Sequence, residues 1–263
     1  MFAAKEIFPG VYHAADCMGV YVTLLVGRER ALLVDTGFGL QDVRAWARSV
    51  TELPLTVLLT HAHHDHALGA RWFDEVHMFP EDLPYWQDYT SPARRERVAA
   101  TARDNGVAVP EDFLTAAYPA PVPAREETLD LGGLHARIAL CPGHTPGSAM
   151  VLVEEYGLLL SGDNWNPCTW LFFPEAVPVH TYLKGMRRFF AENGFSHVLC
   201  PHREGLYPRE LPERFLAGLT DERLEQAYPV PLWDGPGIEP CRCDVGAEGE
   251  ELYLVFDRRK LWK

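Results

Sequence analysis

Thr60-His61-Ala62-His63-His64-Asp65-His66 places four histidines and a carboxylate in seven residues, directly after the apolar run Leu55-Thr56-Val57-Leu58-Leu59. The apolar run reads as a buried strand, and the loop after it is dense in ligands rather than in core residues. Neutral imidazole nitrogens and carboxylate oxygens are the donors that zinc and comparable divalent ions accept, and a strand end presents them rigidly. The H-x-H-x-D-H spacing is therefore read as the heart of a metal site rather than as a solvated histidine-rich loop.

Three later stretches extend the pattern: His144 in Cys141-Pro142-Gly143-His144-Thr145-Pro146-Gly147-Ser148, Asp163 closing Leu158-Leu159-Leu160-Ser161-Gly162-Asp163, and His202 in Val198-Leu199-Cys200-Pro201-His202. With these in place the chain resembles the metallo-β-lactamase fold superfamily over about residues 7–202. The resemblance implies one metal held by His61, His63 and His144, a second by Asp65, His66 and His202, and Asp163 bridging both. The implied cofactors are two divalent ions, zinc first, with iron or manganese also compatible with nitrogen and oxygen ligands. His64 is left over and is expected to face away from the metals or to support their ligands. Asp35, in Asp35-Thr36-Gly37, matches a supporting carboxylate of the superfamily. Such a group accepts the free N–H of a ligating imidazole, fixing its tautomer and raising its basicity. A plain turn aspartate before Gly37 is the other reading.

The 263 residues suffice for one sizeable α/β domain, and 47% hydrophobic with 23% charged residues is ordinary for a soluble globular chain. A formal net charge of −13 argues against nucleic acid as a partner, since binding a phosphate backbone needs clustered Lys and Arg. No stretch reaches the roughly 18 apolar residues of a membrane span, and the N-terminus lacks a charged start followed by an apolar core. A cytoplasmic protein acting on a small-molecule substrate, away from membranes, is expected; nothing in the sequence sets the oligomeric state. Cys17, Cys141, Cys168, Cys200, Cys241 and Cys243 have no framework spacing and read as reduced thiols, with Cys200 as packing rather than a nucleophile.

Upstream of the motif, Val11-Tyr12-His13, residues 19–26 and residues 31–35 read as a small meander of strands. Residues 41–50, with Val43, Ala45, Trp46, Ala47 and Val50, read as an amphipathic helix. Between residues 80 and 127 prolines recur and strand-like alternation is lost, so an inserted helical cap over the metal cleft is expected. Inside it Ser91-Pro92 is a helix start and Asn105-Gly106 a stop. Arg94, Arg95 and Arg97 on that helix are assigned to a solvated basic face in preference to an anion site. Residues 128–141 then read as a hairpin leading to His144, residues 149–161 as a second hairpin ending at Asp163, and residues 180–200 as a helix and strand ending before His202.

The resemblance implies an αββα sandwich of two mixed β-sheets with flanking helices and the metals at one edge. One domain is expected, with the cap at about 80–127 and a short C-terminal extension at about 203–263. Within residues 164–174, Trp165 and Asn166 follow Asp163 closely and are candidates for the substrate pocket, with core packing as the alternative for the segment.

Two divalent ions sharing a carboxylate lie about 3.5–4 Å apart and lower the pKa of a bridging water towards about 7. Asp65 would orient the resulting hydroxide, so the resemblance implies a binuclear metal-dependent hydrolase of small-molecule ester, thioester or lactone bonds. The loop from Cys141 to Ser148 is similar to that of hydroxyacylglutathione hydrolases, with Pro146 where those enzymes place an aromatic residue and without their basic C-terminal domain. Lactonases of the superfamily share the seven ligands, but the Tyr they carry after the bridging Asp is missing from residues 164–169. A metal-dependent phosphodiesterase is the alternative, followed by a non-catalytic metal-binding module.

Overall fold

The computed structural model describes residues 2–232 and 237–262, so residues 233–236 of the C-terminal extension and the two end residues lie outside the described residues. The first half runs β1 (Ala3–Phe8), β2 (Val11–Ala15), β3 (Tyr21–Val26), β4 (Ala31–Val34), α1 (Val43–Val50), β5 (Leu55–Leu58), α2 (His64–Ala67), β6 (His77–Met78), α3 (Leu83–Tyr89), α4 (Pro92–Asp104) and β7 (Val122–Pro123). The second runs β8 (Glu127–Asp130), β9 (His135–Leu140), β10 (Ala149–Val153), β11 (Leu158–Leu160), β12 (Cys168–Leu171), α5 (Val179–Glu192), β13 (His197–Leu199) and β14 (Tyr207–Pro208). The tail adds α6 (Glu210–Gly218), α7 (Asp221–Glu225), β15 (Tyr228–Pro229), β16 (Pro240–Asp244) and β17 (Tyr253–Asp257).

Strands β1 to β7 form one sheet in sequence order, antiparallel from β1 to β4 and parallel from β4 onward. The second sheet, ordered β14-β13-β11-β10-β9-β8, repeats the plan: an antiparallel meander from β8 to β11, then β13 parallel to β11. In each half a helix, α1 or α5, precedes the parallel strand. Strand β4 shows why the sheets stack: all four of its residues are buried, because alternate side chains serve opposite faces. Leu32 and Val34 meet Ile138, Val151 and Leu160 of the second sheet in the central core. Leu33 instead points outward to Val43, Trp46 and Ala47 of α1. On the far side, Met150, Leu152 and Leu159 pack under Val179, Leu183 and Met186 of α5. The layers are therefore helix, sheet, sheet, helix, the αββα arrangement expected from the sequence.

In its secondary structure and sheets the chain departs from the sequence reading in three places. Strand β1 was not expected, since Ala3-Ala4-Lys5-Glu6 has no apolar alternation; its strand state comes from pairing with β2. The segment 80–127 is not purely helical, because Val122–Pro123 joins the edge of the first sheet beside β6. A third sheet, β12-β17-β16-β15, ties the tail to the segment that follows Asp163. The cap helix α4 has the ends read from sequence: Ser91 Oγ accepts from the Arg94 amide, Pro92 is the first helical residue, and Gly106 turns off the end at φ +70°. Val98, Ala99 and Ala102 seat it on Leu40 and Leu68, beside the histidine loop. Among the described residues no helix is long and apolar enough to cross a membrane.

Candidate metal centre

Parallel pairing makes strands end side by side. Val34 lies opposite Leu58, so Asp35 and the loop of residues 60–66 leave the first sheet together. Leu160 lies opposite Leu199, so Asp163 and His202 leave the second sheet together. The loop carrying His144 joins β9 to β10 at the same edge. Asp35 sits at φ +65°, a left-handed conformation that costs a non-glycine residue about 1–2 kcal/mol. In return its carboxylate accepts from the Thr60 amide at 2.7 Å, from Thr60 Oγ1 at 2.9 Å and from His66 Nδ1 at 2.9 Å. Asp82, fully buried, accepts from the Ala62 amide at 2.9 Å and the Gly147 amide at 2.7 Å, bracing the two histidine loops against each other. A Cβ at Gly147 would stand 2.7 Å from Asp82 Oδ1, so the brace needs glycine there.

The structure gathers the sequence-read side chains into three groups whose ligand atoms lie within 4.8 Å of one another: His61, His63 and His144; His61, His66 and Asp163; and Asp65, His66 and His202. Their tautomers follow from what each outward nitrogen touches. His144 Nδ1 donates to the Trp170 carbonyl at 2.6 Å, and His63 Nε2 donates to Glu175 Oε1 at 2.6 Å. His61 Nδ1 donates to Thr60 Oγ1 at 3.0 Å, because that hydroxyl spends its own proton on Asp35. His66 Nδ1 donates to Asp35. The inward nitrogens of His61, His63 and His144 are then lone pairs, and that of His66 becomes one when its second proton leaves. His63 Nδ1 and His144 Nε2 face each other at 2.8 Å, and His61 Nε2, His66 Nε2 and Asp163 Oδ1 are buried with no hydrogen-bond partner. Opposed lone pairs at that distance repel unless a cation lies between them, so this donor set fits divalent metal.

The charges divide between the groups. Burial and the imidazoles of His66, His63 and His144 push His61 well below the ordinary value, and burial brings His63 down to about 4 although Glu175 opposes it. Burial also opposes a charge on His66, but Asp163, Asp65 and Asp35 outweigh it and hold its pKa well above the ordinary value. Burial acts against the Asp65 and Asp163 carboxylates as well, and the neighbouring His66 and His202 still hold both well below the usual range. A proton on His66 answers the two carboxylates, whose oxygens lie 3.5 Å from Nε2; a cation would do the same.

The centre opens into a cleft of about 860 Å³. Its walls come from the cap (Tyr85, Asp88, Tyr89, Arg94, Arg97) and from the segment after β12 (Phe173, Pro174, Glu175). His64 lines the cleft between Phe38 and Tyr89 and belongs to none of the three groups. Trp165 does not reach the cleft: it is fully buried in the core beneath α5, and Trp170 and Phe173 take the wall it was expected to form. Asn166 lines a smaller adjoining cavity of about 320 Å³, where its Oδ1 accepts from the Cys168 amide. Arg95 is not on a solvated face either; it is buried and donates to the Phe113 and Ala116 carbonyls, while Arg94 and Arg97 face the cleft. Sequence reasoning missed Glu175, Asp82 and Tyr89. Glu175 holds His63 and also accepts from the Tyr89 hydroxyl, so the cap touches the metal centre through it. Prolines on either side of Glu175 and Asp82 gave no spacing signal that could have picked them out.

The sequence profile described as Metallo-beta-lactamase superfamily matches residues 15–223, and the chain belongs to that family. It is similar to the "Probable metallo-hydrolase YqgX" of Bacillus subtilis (strain 168), 30% identical over 140 residues, covering 53% of this chain and 63% of that protein. It is similar to the "Acyl-coenzyme A thioesterase MBLAC2" of Gallus gallus, 25% identical over 62% of this chain and 65% of that protein. The alignments thus span less than two thirds of either relative. Among solved structures, a metallo-beta-lactamase family protein from Thermus thermophilus superposes with TM-score 0.60 and 26% identity, over 88% of this chain and 85% of that one. TTHA1623, solved in a di-iron-bound form, gives TM-score 0.55 and 25% identity over 74% and 92%.

Proposed function

We propose that this chain is a binuclear metal-dependent hydrolase of small-molecule ester, thioester or lactone bonds, in the branch of the superfamily that holds hydroxyacylglutathione hydrolases and lactonases. His61, His63 and His144 would hold one ion and Asp65, His66 and His202 the other, with the Asp163 carboxylate available to both. The observation that carries this is the set of inward nitrogens of His61, His63 and His144, each ring fixed by a hydrogen bond on its opposite nitrogen, gathered beside the Asp163 and Asp65 carboxylates. Two bound divalent ions supply an acidified water at neutral pH and a Lewis acid for the acyl oxygen.

The chain's own residues do the remaining work. Asp65, ionised and at the cleft wall, accepts a hydrogen bond from the attacking water and turns its lone pair toward the acyl carbon. Trp170 and Phe173 give the acyl group an apolar wall and limit access of bulk water. Cys200 is not needed as a nucleophile; burial pushes its thiol up to about 12. Thioesters rank first among the three bonds because the Gallus gallus relative is named a thioesterase.

The test joins metal analysis to parallel assays. Metal-free protein is reconstituted with zinc, iron or manganese, and a thioester, a lactone, an aryl ester and bis(p-nitrophenyl) phosphate are assayed side by side. About two ions per chain with metal-dependent acyl hydrolysis is the expected result. Turnover of the phosphodiester alone, or no metal uptake, overturns the proposal.

A further inference from the structure

Helix α4 opens with three arginines, Arg94, Arg95 and Arg97, and has no acidic residue in its first turn. Cations near a helix N-terminus oppose the macrodipole, so this placement is unfavourable unless each charge has another purpose. Arg95 has one, the Phe113 and Ala116 carbonyls. Arg94 lies 4.4 Å over the Tyr89 ring and 2.5 Å from Asp88 Oδ2, with its Nε buried and unpartnered. Arg97 is exposed, lines the cleft, and has no hydrogen bond or ion pair among the described residues. Two guanidiniums against the Asp88 carboxylate leave one net positive charge on the cap side of the cleft, in a chain of net charge −13. The same cleft is lined by the apolar side chains of Trp170, Phe173 and Pro174.

Resting on the hydrolase reading above, we propose that Arg94 and Arg97 form an anion subsite, so that the substrate is an acyl ester or thioester carrying a carboxylate or phosphate on the part that reaches the cap. A guanidinium offers paired N–H donors to either oxyanion, and the apolar part of the same cleft accepts the hydrocarbon part. The cleft volume falls within the range of small-molecule sites and leaves space for such an extended, two-ended compound.

Non-hydrolysable thioethers with one alkyl group and three thiol parts test this: N-acetylcysteamine (neutral), 3-mercaptopropionate (carboxylate) and phosphopantetheine (phosphate). Their affinities for the zinc-loaded protein are measured by calorimetry in wild type, Arg97→Ala and Arg97→Glu, and the matching thioesters are assayed for turnover. The wild type should prefer an anionic thioether over the neutral one. Arg97→Ala should cut that preference about tenfold, and Arg97→Glu should abolish or invert it. Whichever anionic arm carries the larger loss identifies the group as carboxylate or phosphate. Equal affinities for neutral and anionic thioethers in the wild type, or a preference that both variants leave unchanged, overturns the subsite. Thioethers that show the Arg97-dependent preference while none of the thioesters, the lactone or the aryl ester is cleaved would uphold the subsite and remove the hydrolase reading; cleavage without the preference would do the reverse.

Discussion

His61, His63 and His144 are all but sealed from solvent, and each is braced on its outer nitrogen, by Thr60, Glu175 and the Trp170 carbonyl. Among Asp65, His66 and His202 only His66 is both sealed and braced; the His202 side chain is 32% exposed and the Asp65 side chain 17%. The first group is three neutral donors with fixed lone pairs, suited to holding an ion. The second includes a carboxylate and opens on the cleft, suited to exchanging water and substrate. A site asked both to retain metal and to let chemistry occur divides those demands between its halves.

Removing Asp65 strikes the open half and should have the largest effect. Asp65→Ala is expected to lower kcat for the best acyl substrate by about 100- to 10,000-fold. An ion should stay on the braced histidines, and the melting curve of the variant should remain cooperative. Wild-type rates in that variant would falsify the catalytic role given to Asp65. Next in size, the braces themselves can be cut one half at a time. Glu175→Gln leaves His63 Nε2 without its carboxylate, and Asp35→Asn does the same for His66 Nδ1. Each should weaken zinc binding by about 10- to 100-fold, measured by competition with a chromogenic chelator. On the proposed two-ion reading, Glu175→Gln should affect an ion held by His61, His63 and His144, and Asp35→Asn one held by Asp65, His66 and His202; if both variants loosen the same ion, the two-part description is wrong.

The candidate ligands that the structure brings together were readable because they are contiguous or close a strand. His61 to His66 occupy one loop, and His144, Asp163 and His202 each follow an apolar run. The stacked sheets were readable for a related reason, since strands buried on both faces, such as Ala31–Val34, show as unbroken apolar runs. The braces were not readable, because their partners meet only after folding. Glu175 reaches His63 across 112 positions. The Trp170 carbonyl meets His144 because β12 is held in place by β17, from a tail whose sequence carries no motif. Trp165 shows the limit of adjacency: two residues from Asp163, it turns into the core while Asp163 turns toward the ligands, and no composition signal separates those directions.

The smallest expected effect lies just behind the open half. His13, on β2, stacks on Tyr21, accepts or donates at Thr23 Oγ1 over 3.0 Å, and reaches the Arg203 carbonyl next to His202 at 3.4 Å. Burial lowers its pKa to about 4, and the Arg203 carbonyl only partly offsets that. The unfolded chain, with an imidazole pKa near about 6.5, therefore takes up this proton first as the pH falls. The neutral His13 supports the fold fully above about pH 6.5, and that support is lost as the pH drops toward about 4. His13→Gln cannot titrate. Denaturant unfolding of metal-free wild type and variant across this window should show the variant's stability falling less steeply, by up to about 1.4 kcal/mol per pH unit. Parallel slopes would mean that His13 is not the buried neutral imidazole described, and that the loop carrying His202 rests on something other than it.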